Sequence, residues 1–395
     1  MKGSDGKFVQ NIIKTLQSVL PVKDNIPLHE PEFSGREWEY VKDCLDSGWV
    51  SSVGAYVNRF ERMLCDYTSS PYAVAAVNGT SALHICLLLA GVKAGDEVLV
   101  PALTFVATAN AVTYCRAIPH FADAEERTLG LDPFKLNDYL HEVGELRGGV
   151  CRNRLTGRPI RAVAPMHTFG HPVDLDPLQE VCERYHLVMV EDAAESLGSL
   201  YKGRHTGTRG LLSSLSFNGN KTITTGGGGA ILTNSASMAK LAKHITTQAK
   251  TPHRWEFNHD MVGYNYRLPN INAALGCAQL EQLPGFIEKK RNLAKRYQKA
   301  FRTIKGVRFY SEPDFARSNY WLNVLILDEE YAAERDDLLE SANKTGIMTR
   351  PLWTLMHKLD MYKDCPRMDL SVAEDLESRV INIPSSSCLG EQHDR

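Results

Sequence analysis

One lysine stands in a polar, glycine-rich turn between two apolar runs. The stretch SFNGNKTITTGGGGAILTN, residues 216–234, begins with Ser216 and contains Lys221. A lysine amine that is unprotonated and held still can attack an aldehyde and form a Schiff base. The neighbouring glycines let a flat ligand and other backbone approach closely. Taken alone, the stretch is equally typical of a surface lysine in a glycine-rich hairpin, so its chemistry depends on what lies beside it.

An acid upstream of this lysine follows a short apolar run. In LVMVEDAAESLGS, residues 187–199, the apolar run predicts a buried strand that ends with Glu191 and Asp192. Open α/β sheets bind ligands at the carboxyl ends of their strands. A carboxylate there can pair with a protonated ring nitrogen, which is worth about 4 kcal/mol at ~4 Å and an effective dielectric of about 20. The alternative for Asp192 is to cap the N-terminus of a following helix.

A third segment, NGTSALH at residues 78–84, places Thr80 and Ser81 at a predicted strand-to-helix turn. Backbone N–H groups and hydroxyls at a helix N-terminus bind phosphate dianions. The same residue types also cap ordinary helices, so the segment indicates a phosphate site only in combination with the others. The sequence has no GxxxxGK[ST] motif, which argues against a nucleoside triphosphatase.

The elements that must position these residues alternate along the chain. Short apolar runs predict strands at 73–77, 97–101, 118–122, 162–166 and 187–190, separated by helix-like stretches. This alternation is typical of an α/β fold with a parallel sheet covered on both faces.

From Asn270 the spacing is helical, with an expected interruption at Pro284-Gly285. Predicted strands at 320–327 and 380–383 and a helix at 330–343 follow this helix. We therefore predict a large domain over residues 1–290 and a small domain over 291–395.

Composition excludes several classes of protein. Lys and Arg number 45 against 47 Asp and Glu, so no basic field is available to hold nucleic acid. No apolar run approaches the ~20 residues that cross a bilayer, so no membrane partner is expected. Nine cysteines without a CxxC pair, and an N-terminus without an apolar signal core, predict reduced thiols and a cytoplasmic protein.

Six segments, in this order, resemble the DegT/DnrJ/StrS family of sugar-nucleotide aminotransferases, and the likeness extends from about Ile26 to Ser387. The segments are GWVSSVGAYVNRFE (48–61), NGTSALH (78–84), PALTFVATANAV (101–112), VEDAAESLGS (190–199), SFNGNKTITTGGGGAI (216–231) and GYNYRLPNINAALGCAQL (263–280). The resemblance implies an aspartate-aminotransferase-like fold type I, with a large domain built on a mostly parallel sheet flanked by helices and a small C-terminal α+β domain.

The resemblance also implies a cofactor and the residues that hold it. The cofactor would be pyridoxal 5′-phosphate, with pyridoxamine 5′-phosphate as the intermediate form. Lys221 would bind it covalently and carry the proton, and Asp192 would pair with its ring nitrogen. The other implied contacts are Phe105 on the ring face, Thr80, Ser81 and Ser216 at the phosphate, and Asn265 from the second subunit of a homodimer.

Glu195 falls where many relatives carry Gln or His facing the 3′-oxygen of the cofactor. A carboxylate beside a phenolate oxygen is repulsive unless it is protonated or turned away.

The segments MHTFGHPVDL (166–175) and TRPLWTLMH (349–357) are most similar to the branch that aminates 4-keto-6-deoxy sugars on the way to bacillosamine and legionaminic acid. This likeness implies a ping-pong transfer from L-glutamate to C4 of a UDP-linked 2-acetamido sugar or its GDP-linked equivalent. Candidate substrate contacts are His167, His171, Arg350, Trp353 and His357. Gly170 and Pro172 break any helix that would present His167 and His171 to a metal, so no metal site is expected.

Two alternatives stay open from the sequence. Some relatives are sugar 3-aminotransferases or dehydratases, but the dehydratases carry His at the position of Lys221. A non-catalytic regulator that binds the cofactor would keep the same residues as the enzyme.

Overall fold

The computed structural model describes residues 5–391, and its largest element is a seven-stranded sheet. In chain order the strands are β1 (Tyr72–Ala76), β2 (Glu97–Pro101), β3 (Ile118–Ala122), β4 (Gly144–Arg147), β5 (Val150–Asn153), β6 (Ile160–Val163), β7 (Val188–Asp192), β8 (Leu200–Tyr201), β9 (Arg204–His205), β10 (Leu212–Ser216), β11 (Gly229–Thr233), β12 (Val307–Phe309), β13 (Ala316–Arg317), β14 (Asn323–Leu327), β15 (Arg350–Pro351) and β16 (Val380–Ile383).

The helices surround this sheet and link it to a smaller one. In chain order they are α1 (Asp5–Val19), α2 (Glu37–Ser47), α3 (Ala55–Thr68), α4 (Gly79–Leu89), α5 (Val106–Tyr114), α6 (Pro133–Val143), α7 (Leu175–Tyr185), α8 (Ala236–Thr246), α9 (Asn270–Phe301), α10 (Arg335–Lys344) and α11 (Ser371–Arg379). Short 3-10 turns cover Thr168–Gly170, Glu329–Glu334, Met356–Lys358 and Ser387–Gly390.

The large sheet is mostly parallel, in the order β1-β11-β10-β7-β6-β2-β3. Strands β10, β7, β6, β2 and β3 run parallel to one another, whereas β11 pairs antiparallel with β1 and β10. The predicted α/β class is confirmed, and the predicted strands at 97–101, 118–122 and 380–383 have the observed bounds.

Both faces of this sheet are buried because successive side chains of a strand point to opposite faces. Along β11, Ile231 belongs to the core that packs under α4 and α5, whereas Ala230 and Leu232 belong to a second core formed with α3 and α9. Covered faces on both sides account for the continuous apolar runs in the sequence.

The predicted interruption at Pro284-Gly285 is wrong, because α9 runs unbroken from Asn270 to Phe301. Proline inside a helix loses a hydrogen bond and costs roughly 3 kcal/mol. Here Pro284 and Gly285 are exposed, while Leu283, Phe286 and Ile287 beside them are buried in the second core. Packing of the apolar stripe therefore offsets the local cost.

The smaller sheet follows α9 and is antiparallel, in the order β12-β14-β16-β15. Its core includes apolar residues of α1, α9 and α10. The predicted domain boundary at 290/291 lies inside α9 and stays a prediction, and residues 1–4 and 392–395 of the predicted domains lie outside the described residues. No helix within residues 5–391 is long and apolar enough to cross a membrane.

A buried carboxylate ties the large sheet to α11. Asp123, which follows β3, accepts hydrogen bonds from the N–H groups of Ala373 (2.8 Å) and Val372 (3.3 Å). It also accepts one from Nζ of Lys135 at 2.7 Å. The first N–H groups of a helix have no partner within the helix, so Asp123 supplies one from another part of the chain.

Replacing Asp123 with alanine removes this partner, and we expect the free energy of unfolding to fall by about 2 kcal/mol because a buried donor is left unsatisfied. Urea unfolding measures the change. Asp369→Ala is the matched control, since Asp369 is exposed and bonds only to Ser371 at the same helix start. An equal loss in the two variants would contradict the role of Asp123.

Candidate active site

A cavity of about 220 Å³ lies at the carboxyl ends of β7 and β10. The structure brings seven of the predicted site residues to its wall: Thr80, Phe105, Asp192, Glu195, Ser216, Lys221 and Trp353. These residues come from both halves of the chain, so the cavity exists only in the folded protein.

The N-terminus of α4 forms one end of the cavity. Asn78 caps this helix by accepting a hydrogen bond from the N–H of Ser81 at 2.7 Å. A side chain at Gly79 would place its Cβ 2.7 Å from Cβ of Ser216, so glycine lets β10 and the helix lie against each other. The first N–H groups of α4, the hydroxyl of Thr80 and that of Ser216 make a cradle for an anion.

Ser81 itself does not line the cavity. Its N–H donates to the side chain of Asn78 in the helix cap. Ser81 thus completes the cap that orients the helix, and its direct contact with a phosphate stays a prediction.

Asp192 also lines the cavity, at the end of β7. Its carboxylate accepts a hydrogen bond from the hydroxyl of Thr108 (2.8 Å) and one from the N–H of Ala194 (3.1 Å). Burial raises the pKa of Asp192 above its ordinary value, so the carboxylate is poorly compensated. No helix begins in residues 193–199, which rules out the helix-capping alternative. A cationic ring N–H is the kind of ligand that satisfies such a group.

Lys221 is held between a carboxylate and an aromatic ring. Its Nζ lies 3.1 Å from Oε1 of Glu195 and 4.0 Å from the centre of the Trp321 ring. The other oxygen of Glu195 accepts a hydrogen bond from the N–H of Phe169 at 2.9 Å. Burial raises the pKa of Glu195 to about 7, against the opposing effect of the charge on Lys221. The 3.1 Å contact between Nζ and Oε1 shows that the Glu195 carboxyl group is turned toward Lys221.

Aromatic side chains form the rest of the cavity wall. Phe105 precedes α5 and is 48% exposed, and its ring centre lies 6.0 Å from that of Trp353. Trp321 donates its indole N–H to the carbonyl of Asn220 at 2.7 Å. Sequence analysis missed Trp321, Asn78 and Thr108. Asn78 precedes Gly79 in the phosphate turn and has the residue type of a helix cap, but no local pattern marks the other two.

His167 contacts Glu191, whose side chain lies on the face of β7 opposite to that of Asp192. Its Nε2 donates to the carboxylate of Glu191 at 3.0 Å, and its Nδ1 accepts the N–H of Val173 at 3.2 Å. Both His167 and Glu191 are fully buried. Glu191 also accepts hydrogen bonds from the N–H groups of Gly207 (2.7 Å), Arg209 (2.8 Å) and Gly210 (2.7 Å). This network corrects the expectation that His167 contacts the sugar.

Three other expected substrate contacts also lie outside the cavity. His171 is buried between Tyr310 and Tyr320, and burial lowers its pKa to about 3. His357 is buried and bonds to Glu374 at 3.0 Å. Arg350 is exposed on β15 and donates to the carbonyl of Thr349 at 2.8 Å. Packing within the chain accounts for His171 and His357, and the structure corrects their predicted substrate roles. A substrate contact from the exposed Arg350 stays a prediction.

Asn265 lies away from the cavity of its own chain. It is exposed, and its Oδ1 accepts a hydrogen bond from Nε of Arg267 at 3.2 Å. A role for Asn265 at a phosphate site therefore requires a second subunit. Among residues 5–391, no group of three or more His, Cys, Asp or Glu side chains converges as metal ligands do.

Known proteins share this fold along almost its whole length. Spr1654 of Streptococcus pneumoniae, in its PLP form, superimposes with a TM-score of 0.82 and 25% identity over 91% of this chain and 93% of that one. DesI, solved in the presence of its TDP-sugar product, gives a TM-score of 0.81 and 26% identity over 92% of this chain and 89% of DesI. The fold and site define a pyridoxal phosphate-dependent aminotransferase.

The chain belongs to the DegT/DnrJ/EryC1/StrS aminotransferase family, whose model matches residues 31–395. GDP-perosamine synthase of Escherichia coli O157:H7 is 38% identical over 367 residues, which cover 93% of this chain and 95% of the relative. The predicted enzyme class and cofactor are confirmed: this is a pyridoxal phosphate-dependent sugar-nucleotide aminotransferase.

The described residues fit that cofactor. The anion cradle at α4, the under-compensated carboxylate of Asp192 and the amine of Lys221 surround one cavity. Their chemistry matches a phosphate, a ring N–H and an aldehyde, respectively.

Replacing Glu191 with Gln tests the network behind the site. We expect a loss of about 3 kcal/mol in the free energy of unfolding at neutral pH, because one partner of a buried, hydrogen-bonded pair is removed. Burial alone would raise the pKa of Glu191, but hydrogen bonds from His167 and backbone N–H groups lower it. The stabilisation is therefore present above the ordinary Glu pKa of 4.5 and is lost as the pH falls through the folded-state pKa.

Urea unfolding of the wild type and Glu191→Gln across this pH range measures the effect, with Glu180→Gln on the exposed side of α7 as the control. A difference between wild type and Glu191→Gln that stays constant from neutral to acid pH would refute the assignment.

Proposed function

We propose that the chain transfers an amino group from L-glutamate to C4 of a nucleotide-linked 4-keto-6-deoxy sugar. The observation that carries this proposal is the cavity whose wall contains Lys221, Asp192 and the anion cradle at α4. Similarity to GDP-perosamine synthase supports a 4-keto sugar as acceptor. One amine site that serves the donor and the acceptor in turn accounts for a ping-pong reaction.

Each side chain has one task in this proposal. Thr80 and Ser216 hold the phosphate, and Asp192 holds the ring N–H and keeps the ring charged. Phe105 packs over the ring face. The bound cofactor supplies an electron sink at the carbon that loses its proton. Lys221 binds the cofactor covalently, removes the proton from the amino donor and returns a proton on the acceptor side.

The acceptor enters along the aromatic wall. Trp353 and Phe105 border the cavity, and Trp353 is the one predicted substrate contact that remains there. We propose two acceptors for test, a GDP-linked sugar because of the perosamine relatives, and a UDP-linked 2-acetamido sugar because of the segments that resemble the legionaminic acid and bacillosamine branch.

We also propose a homodimer in which Asn265 reaches the phosphate site of the second subunit. Its segment exposes large apolar side chains, among them Trp255 (68%) and Val262 (85%), and such a patch is typical of a protein interface. All nine cysteines are free thiols, which supports a reducing, cytoplasmic location.

Absorbance spectroscopy tests the half-reactions. Adding L-glutamate to the PLP-loaded protein should convert the spectrum to that of the pyridoxamine form, and only the true 4-keto sugar nucleotide should reverse it rapidly. Lys221→Ala should lose turnover by at least about a thousandfold, as expected when the general base and nucleophile are removed together. Lys240→Ala, at an exposed position of α8, should behave as wild type.

An unchanged spectrum with every amino acid and sugar would favour a regulator that binds the cofactor without turnover. Conversion by glutamate without reversal by any 4-keto sugar would contradict the proposed acceptor.

Mixing two inactive chains tests the shared site. Asn265→Asp places a negative charge beside the proposed phosphate of the partner, so this variant should lose activity, as Lys221→Ala does. Hybrid dimers of the two variants contain one intact site, so random mixing should restore about a quarter of wild-type activity. Asn258→Asp, exposed in the same segment, is the control. A monomer by light scattering, or no recovery in the mixture, would refute the shared site.

A further inference from the structure

The amine of Lys221 has one proton acceptor among its described contacts. Its hydrogen bond to Oε1 of Glu195 is 3.1 Å long, and the face of Trp321 covers the amine at 4.0 Å from the ring centre. The Glu195 side chain is 1% exposed and that of Lys221 is 12% exposed. Water therefore has little access to the proton between them.

Glu195 is fixed in place by groups on both sides. The N–H of Phe169 donates to its Oε2 at 2.9 Å, and Phe169 adopts a left-handed backbone conformation with φ of 56°. The side-chain amide of Asn319 donates to the backbone carbonyl of Glu195 at 2.8 Å and to that of Leu197 at 2.9 Å. The carboxyl group is thus held at one distance from the lysine.

This geometry satisfies both positions of the shared proton. When the proton is on Lys221, Nζ–H donates to the Oε1 carboxylate oxygen. When it is on Glu195, Oε1–H donates to the lone pair of Nζ, and Oε2 still accepts from Phe169. No heavy atom has to move between the two states.

Building on the function proposed above, we propose that Glu195 receives the proton that Lys221 must lose before its amine acts as nucleophile or base. The proton leaves Nζ and binds Oε1, which gives a neutral amine and a neutral acid and leaves the total charge of the cavity unchanged. The reverse transfer recharges Lys221.

Burial and a neighbouring negative charge raise the affinity of Glu195 for this proton. Burial raises the pKa of Glu195 to about 7, the charge on Lys221 opposes the increase, and the charge on Asp192 adds to it. Once Lys221 is neutral, burial and the charge on Asp192 still raise the pKa of Glu195, and the hydrogen bond from the N–H of Phe169 still lowers it. The charge on Lys221 also acts on His29, whose pKa is lowered well below its ordinary value by burial and by the charges on Lys290 and Lys221, so His29 stays uncharged. Burial also lowers the pKa of Lys290, to about 7.

Infrared spectroscopy of the cofactor-free full chain tests the exchange without substrate or turnover. A protonated carboxylic acid has a separate carbonyl-stretch band, and subtracting the spectrum of Glu195→Gln isolates the band of Glu195 from those of other buried acids. In the wild type this band should appear as the pH falls through about 7. In Lys221→Met its midpoint should rise by at least about one pH unit, since an opposite charge has been removed.

The comparison in the Lys221→Met background uses the double variant Lys221→Met, Glu195→Gln. Lys221→Gln is measured alongside in case methionine disturbs the cavity, and circular dichroism checks that each variant is folded. Lys240→Met, an exposed lysine of α8, should leave the midpoint unchanged.

A Glu195 band whose midpoint stays unchanged or falls when Lys221 is neutralised would overturn the proposal, as would the absence of any Glu195 band at and below pH 7. Neither result depends on the amino donor or the sugar, so failure here is distinguishable from failure of the proposed transamination.

Discussion

The cost of burying charge at the carboxyl edge of the central sheet is the constraint on which the rest of the structure depends. An ionised group in the interior needs partners, or it changes its protonation state. Asp192 accepts hydrogen bonds from the hydroxyl of Thr108 and from one backbone N–H. Its pKa stays raised by burial, so these two bonds do not fully compensate its negative charge. Glu195 has Lys221 and the N–H of Phe169. The cavity is therefore prepared for a ligand that brings positive charge to Asp192.

The partners of these charges come from distant parts of the chain, so the site depends on packing between the large and the small sheet. Trp321, which covers Lys221, lies just before β14 of the small sheet. Its backbone carbonyl accepts a hydrogen bond at 3.2 Å from Lys290, a fully buried residue of α9 that also binds the carbonyl of Ser385. Helix α9 thus joins the large sheet, the small sheet and the wall of the cavity.

The predicted site residues that line the cavity share a local signal. The turn at Thr80, the strand end at Asp192 and the glycine-rich segment around Lys221 each follow an apolar run whose strand could be predicted, and parallel strands place their ends at one edge. The same reasoning gave a wrong expectation for His167, although this residue also follows a strand. Met166 lines the cavity, but the next residue faces the other side and binds Glu191. Trp321 and Thr108 could not be predicted, since only tertiary contacts place them.

The sequence by itself determined the alternation of strands and helices, the chemical groups at the strand ends and the family, because these depend on residue type and on spacing over a few positions. The tertiary structure decided that Glu195 faces Lys221, that His167 and His171 are structural, that α9 continues through Pro284, and that Asn265 lies outside its own cavity. These outcomes depend on which side chains meet across long separations in the chain. Burial and charge at these tertiary contacts decide the protonation state and the accessibility of the side chains, and no local pattern in the sequence encodes them.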